Sequence, residues 1–190
     1  MKIGYSVEGS TDRAFLKGLQ QRWCPQAEMI EGRFRGSTGL SRHREIPSIC
    51  VELASKGTDL IIFLRDANDE AWRDVRKKDQ EKCSAEYRHL AVFAVCDRNI
   101  ESWFCRCADW LAERTGWNAD RFRTPDPKNA FEKAFEITAR ERKEEEIATI
   151  VAEAPLREWL SNPSFESFYG ELWLKSKEQG CQIENLRERK

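Results

Sequence analysis

Two unbroken apolar runs, Leu60-Ile61-Ile62-Phe63-Leu64 and Leu90-Ala91-Val92-Phe93-Ala94-Val95, each pass into charge almost at once, the first at Arg65-Asp66 and the second at Asp97. Runs this short have the length of strands, and their β-branched and aromatic content fits strands. A strand apolar at every position must be covered on both faces, which is the situation of a parallel sheet wrapped by helices. The flanking stretches agree. Residues 2–7 read as a first strand and residues 27–34 as a further one. Residues 11–23 place Ala14, Phe15, Leu19 and Trp23 at helical spacing, with Ser10 or Thr11 as the N-cap. Residues 47–55 and 67–86 read as helices, and residues 100–113 align Ile100, Trp103, Phe104, Cys107 and Leu111 on one helical face. This alternation predicts an α/β fold with a mostly parallel, Rossmann-like sheet flanked by helices.

After Gly116 the character changes. Pro125-Asp126-Pro127 breaks the chain, and the remainder is charge-rich and helical, divided by Pro155 and Pro163. The expected organisation is an α/β domain over residues 1–120 and a C-terminal helical annex over residues 121–190, packed together as one structural unit. A chain of 190 residues can bury about 70% of its unfolded surface, enough for a core of its own.

Charge excludes some functions. With 32 basic and 33 acidic residues the net charge is -1, so nucleic acid would have to be met by a local patch. The clearest one is Arg33, Arg35, Arg42 and Arg44 with His43, flanking Gly36-Ser37-Thr38-Gly39, where Glu45 is the only acid between residues 33 and 45. Arginines and backbone amides on such a loop suit phosphate contact, and equally suit a solvated surface. No apolar run approaches the ~20 residues of a membrane span, and the N-terminal strand meets Glu8 too soon for a signal peptide. A cytoplasmic protein with no membrane contact is expected. Its seven cysteines are then expected to be reduced, small core side chains. Two histidines and an isolated Cys105-x-Cys107 give no zinc pattern. Trp103, Trp159 and Trp173 fall at apolar helical spacings, so they read as core. Residues 140–146 mix signs as a solvated helix face does. The chain has no Gly-x4-Gly-Lys-Ser/Thr phosphate loop.

The ends of the strands carry the chemistry. Open parallel sheets bind ligands beyond their carboxyl edge. There the first strand runs into Glu8, with Asp12 one helical turn on. The run 60–64 delivers Asp66, Asn68 and Asp69, and the run 90–95 is followed by Asp97 and Glu101. Each acid has a local explanation: Asp12 and Glu101 suit first helical turns, and Asp66 and Asp69 suit turns or caps. Three successive strand ends bearing acids point instead to a shared site. Converging carboxylates repel unless a cation neutralises them, and Mg2+ (or Mn2+) prefers oxygen ligands.

Val7-Glu8-Gly9-Ser10-Thr11-Asp12 resembles the first motif of Toprim domains, a strand-end glutamate followed by Gly and a second acid four residues on. Leu64-Arg65-Asp66-Ala67-Asn68-Asp69 stands where that fold has its Asp-x-Asp motif. Asn99-Ile100-Glu101-Ser102-Trp103-Phe104, with Ala108-Asp109 after it, resembles a helix of small standalone Toprim-like proteins of the DUF4276 type. Pro127-Lys128 and Pro163-Ser164-Phe165 resemble C-terminal motifs of the same group. The resemblance spans residues 7–168. It implies a Toprim-like fold and metal-dependent cleavage of phosphodiesters, with nucleases of the overcoming-lysogenization-defect type and anti-phage defence components nearest in look. It implies Glu8, Asp12, Asp66 and Glu101 as metal ligands, with Glu8 and Asp66 catalytic. Lys128 would neutralise phosphate charge. Asn68 departs from the Asp-x-Asp pattern, which leaves either Asn68 through its amide oxygen or Asp69 to complete the set. An ABC-type ATPase partner, docking on the helices after Pro127, is also implied. The competing expectation is a catalytically weak Toprim-like adaptor that binds such an ATPase. Asn68 and the near-zero net charge favour the adaptor, and the acid-bearing strand ends favour the enzyme.

Overall fold

The computed structural model describes residues 1–32, 42–135, 140–177, 179–181 and 183–188. Its strands are β1 (Lys2–Ser6), β2 (Glu28–Glu31), β3 (Leu60–Asp66) and β4 (Ala91–Cys96), all parallel, in the order β2-β1-β3-β4. The helices are α1 (Ser10–Trp23), α2 (Arg42–Ser55), α3 (Trp72–Lys82), α4 (Glu101–Phe104), α5 (Ala108–Thr115), α6 (Pro127–Ala134), α7 (Arg140–Glu153), α8 (Leu156–Trp159) and α9 (Pro163–Lys177). The protein is therefore an α/β fold, Rossmann-like, with its helices extending beyond the sheet at the C-terminal end. No helix among the described residues is long and apolar enough to cross a membrane.

Side-chain alternation along β3 divides the core into two layers. Leu60, Ile62 and Leu64 join α1 and the C-terminal helices in the larger cluster, while Ile61 and Phe63 meet Ile46, Ile49, Cys50 and Leu53 of α2 on the opposite face. The larger cluster is continuous from Ile3 and Phe15 to Trp159 and Phe168, so residues on both sides of position 120 share one core. Trp103 stacks on Phe168 at 5.6 Å, and Phe15 lies 5.4 Å from Trp103. Each such pair adds about 0.5–1.5 kcal/mol beyond its buried area. Trp103 and Trp159 are fully buried and Trp173 packs partly buried against the same cluster, as core residues.

Helices α1 and α7 approach closely through Gly18. A Cβ there would lie 2.7 Å from the Ala148 carbonyl oxygen and 2.7 Å from Val151 Cβ. Gly18→Ala is expected to force the helices apart at a cost of about 2–3 kcal/mol, lowering Tm by roughly 5–10 °C. Melting followed by circular dichroism checks this; an unchanged Tm would contradict the close approach.

The outer edge of β4 is closed by side chains. Glu171 of α9 accepts a hydrogen bond from the Phe93 amide (3.3 Å), and Arg76 of α3 donates to the Phe93 carbonyl (3.2 Å). Lys175 donates to the carbonyls of Ala91 and Arg88, and Glu171 ion-pairs with Arg76 at 2.9 Å and with Lys175 at 3.0 Å.

Several local expectations are corrected. The N-cap of α1 is Gly9, because Asp12 reaches back to the Glu8 and Gly9 amides and does the capping from inside the helix. Helix α2 begins at Arg42 and includes Pro47. Helix α3 starts only at Trp72, because residues 67–70 are tied sideways to the loop after β4: the Ala67 amide donates to the Cys96 carbonyl and the Asn68 amide to that of Arg98, both at 3.0 Å. The helix expected over 100–113 is broken by a 3-10 turn at Cys105–Cys107. There the buried Cys107 thiol donates to the Phe104 carbonyl and accepts from Trp159 Nε1 at 3.2 Å, which fixes the break against α8. The expectation of seven reduced thiols fails for two of them. Cys24 and Cys181 form a disulfide joining the end of α1 to the C-terminal tail, and the five other cysteines are free and buried. The two partners are 157 residues apart in sequence, so spacing gave no sign of the pair.

Candidate functional site

The carboxyl edge of the sheet is assembled from three chain segments. Because β3 alternates, Arg65 and Asp66 point to opposite faces, Asp66 toward the layer that contains α1 and α4. Glu8 lies two residues beyond the end of β1, and its side chain is 26% exposed. Asp12, only 5% exposed, stands in the first turn of α1 and accepts from both the Glu8 and Gly9 amides at 3.0 Å. That double contact fixes the backbone of the Glu-Gly turn. Glu101 opens α4 and is 3% exposed.

Asp66 sits at the centre. Its Oδ1 is buried with no hydrogen-bond partner. Burial pushes its carboxyl up to about 8, helped by the negative charges of Asp12, Glu101 and Glu8 and opposed by Lys128. Cys96 pairs with Asp66 in the sheet register and is buried beneath the same four carboxylates. Burial first, and then those charges, raise its thiol well above the ordinary range. It is inert as a nucleophile in this setting.

The structure thus gathers Glu8, Asp12, Asp66 and Glu101 into one electrostatic cluster, with Lys128 acting on it from the exposed first turn of α6, which packs on α4. Asn68 and Asp69 lie differently. Both are exposed, and Asn68 takes the left-handed conformation (φ 53°) that asparagine tolerates in turns. The charges that shift Asp66 come from the other four groups. Arg33 and Arg35, with the Gly-rich stretch, lie outside the described residues, as does the side chain of Arg42; Arg44 is exposed on α2.

Sequence reasoning missed the residues that hold this edge in place. The Ser164 hydroxyl accepts from the Asp97 amide (3.1 Å) and from Trp103 Nε1 (2.7 Å), and donates to Asn162 Oδ1 (2.8 Å). One buried serine therefore clamps the loop after β4 to the helix that carries Glu101. Pro163-Ser164-Phe165 was visible as a motif, but the role of its serine was not, since Trp103 lies 61 residues away. Asn99 Oδ1 and Ser102 Oγ, flanking Glu101, are further buried side-chain oxygens without a hydrogen-bond partner.

These donors are all hard oxygens, the set a Mg2+ or Mn2+ ion takes, and the unpartnered Asp66 Oδ1 fits such a role. Among the described residues no three His, Cys, Asp or Glu side chains close on a common point at ligand distance. Fold and edge together define a parallel α/β protein with a four-carboxylate cluster at the carboxyl end of its sheet. No family model matches the chain, and no curated protein or solved structure matches it.

Proposed function

We propose that this edge is the divalent-cation site of a Toprim-like nuclease, an enzyme that cleaves phosphodiester bonds of nucleic acid with Mg2+ or Mn2+. The observation that carries the reading is Asp66: a half-buried carboxylate whose buried Oδ1 has no hydrogen-bond partner, crowded by three other acids. Such crowding is costly to keep without a counter-charge. Asp66, Asp12, Glu101 and Glu8 would hold the cation. When bound, it supplies polarisation of the phosphate and of the attacking water, and neutralisation of developing charge. The chain's own residues do the rest. Asp12 holds the Glu8 turn by its two amides, Ser164 holds the Glu101 helix, and Lys128 offers a positive charge to a phosphate at the rim.

The wider reading rests on the sequence resemblance: a cytoplasmic component of a bacterial anti-phage defence system, working with an ABC-type ATPase that docks on the helices after Pro127. The net charge of -1 supports dependence on a partner, because nucleic-acid affinity at physiological salt rests on phosphate neutralisation by Lys and Arg. The adaptor reading, a catalytically weak subunit that binds the ATPase, draws on one observation of its own: the carboxylates do not close on a single point.

Millimolar Mg2+ or Mn2+ is expected to raise Tm by mass action on the folded state, and Glu8→Gln and Asp66→Asn to shrink that rise by weakening the site. Plasmid and tRNA cleavage are then assayed with Mg2+, with and without the product of the neighbouring gene. A Tm indifferent to saturating metal would remove the cation site. A metal response with no cleavage in either arm would favour the adaptor, and full cleavage by the isolated chain would remove the need for the ATPase.

A further inference from the structure

The opposite face of the same strand end carries a buried cation that the cluster has not yet accounted for. Arg65 precedes Asp66 on β3, is 7% exposed, and projects toward α2 and α3. Its Nη1 lies 3.5 Å from Oδ1 of Asp79, an α3 residue only 2% exposed. Its Nε lies 3.8 Å from Glu8 Oε1. Ser6, Ile46, Ile49, Phe63 and Leu64 line the small cavity around the Arg65–Asp79 pair.

A guanidinium is retained in such surroundings only when it is paired, and Asp79 supplies that pairing within the core. The reach to Glu8 is a separate matter, because Glu8 belongs to the rim. Two independent fastenings therefore act on one residue. Asp12 holds its backbone amide from the α1 side of the sheet, and the Arg65 guanidinium attracts its carboxylate from the α3 side, as an ion pair at 3.8 Å. Fixed dipoles and charges behind a ligand set its direction, and loss of such partners typically weakens metal binding 10–100-fold.

Building on the cation-site reading above, we propose that Arg65, anchored by Asp79, is a positioning residue that aims the Glu8 carboxylate into the metal cluster. Helix α3 thereby becomes part of the site's framework. The charge of Arg65 on its own would repel a nearby divalent ion, so removal of the charge alone should tighten binding. The proposal commits to the opposite sign, in which loss of direction outweighs loss of repulsion.

The test is a double-mutant cycle on the full chain with Mn2+ as the probe, its affinity measured by electron paramagnetic resonance and the Tm measured in chelator. Arg65→Gln is expected to weaken Mn2+ binding at least tenfold, and Arg65→Lys to recover most of it. In a Glu8→Gln background Arg65→Gln should change Mn2+ affinity less than twofold, because its action runs through Glu8. Arg65→Gln strands Asp79 in the core, so Arg65→Gln/Asp79→Asn serves as the second variant and is expected to show the same affinity loss while folded. Unchanged or tighter Mn2+ binding in these variants, or an equal loss with and without Glu8, overturns the positioning role while leaving the cation site standing. Absence of Mn2+ binding by the unmutated protein overturns the cation site and the positioning role together. The Tm cycle in chelator still reports whether Arg65 and Glu8 are coupled.

Discussion

Asp66→Asn is expected to stabilise the protein in the presence of chelator, and to do so more strongly as pH rises. The ordinary aspartate pKa is ~3.9, whereas burial and three neighbouring acids push Asp66 up to about 8 in the folded protein. Between those two values the folded state holds a proton that the unfolded state has lost, so the contribution of this group to stability falls as pH rises from about 4 to about 8 and is constant above. At ~1.4 kcal/mol for each unit of pKa, the charged form costs on the order of 5–6 kcal/mol. The asparagine has no such charge to accommodate. The Tm of Asp66→Asn should match that of the parent near pH 4 and exceed it by roughly 10 °C at pH 8. Thermal melts in chelator across that range decide it. Parallel pH profiles for the two proteins would mean that Asp66 is not crowded as described.

Loss of cleavage on Glu8→Ala or Asp66→Ala is the second large effect, expected at 10³-fold or more under the nuclease reading. A group that stabilises charge developing at the reacting phosphate contributes on the order of 3–4 kcal/mol. The fold should persist in both variants, since Glu8 is partly exposed and Asp66 closes a strand rather than filling the core. Single-turnover cleavage with Mg2+, alongside circular dichroism, separates the two effects. Asn68→Asp is expected to leave activity within about threefold of the parent, since position 68 is exposed on a left-handed turn and the ~0.5 kcal/mol scale of surface changes sets the bound. A large gain on Asn68→Asp would return that residue to the ligand set.

The strands were legible because β3 and β4 are apolar at nearly every position, a pattern that only two-sided burial explains. The alternation of strands and helices made a parallel sheet legible, and with it the expectation that Glu8, Asp66 and Glu101 follow strand ends; the order β2-β1-β3-β4 was not legible. What stayed hidden depends on contacts between distant residues. Nothing near Arg65 in the sequence points to Asp79; its burial against Asp79 becomes visible only when α3 is laid on the sheet. Ser164 stands within the motif Pro163-Ser164-Phe165, which gives no sign of its three hydrogen bonds, two of them to segments far away in the chain. The break at Cys107 was invisible for a different reason. Its flanking residues keep helical spacing, and the interruption arises from a thiol bonded to Trp159. The Cys24–Cys181 bond likewise depends on where the tail passes.

The side chains along the outer edge of β4 have a consequence for assembly. Sheets grow when an incoming strand finds a row of free amides and carbonyls. Here Glu171 and the cationic groups of Arg76 and Lys175 occupy the positions that a visiting backbone would need, presenting acceptor and donors in the order of a strand. An invading chain would have to displace an ion-paired trio before gaining its first hydrogen bond. Two of the three blocking residues ride on α9, so the protection lasts only while that helix is docked. Detachment of α9 would turn a terminated sheet into a template and would withdraw the Ser164 clamp in the same step, so fibrous association and loss of the site would begin together.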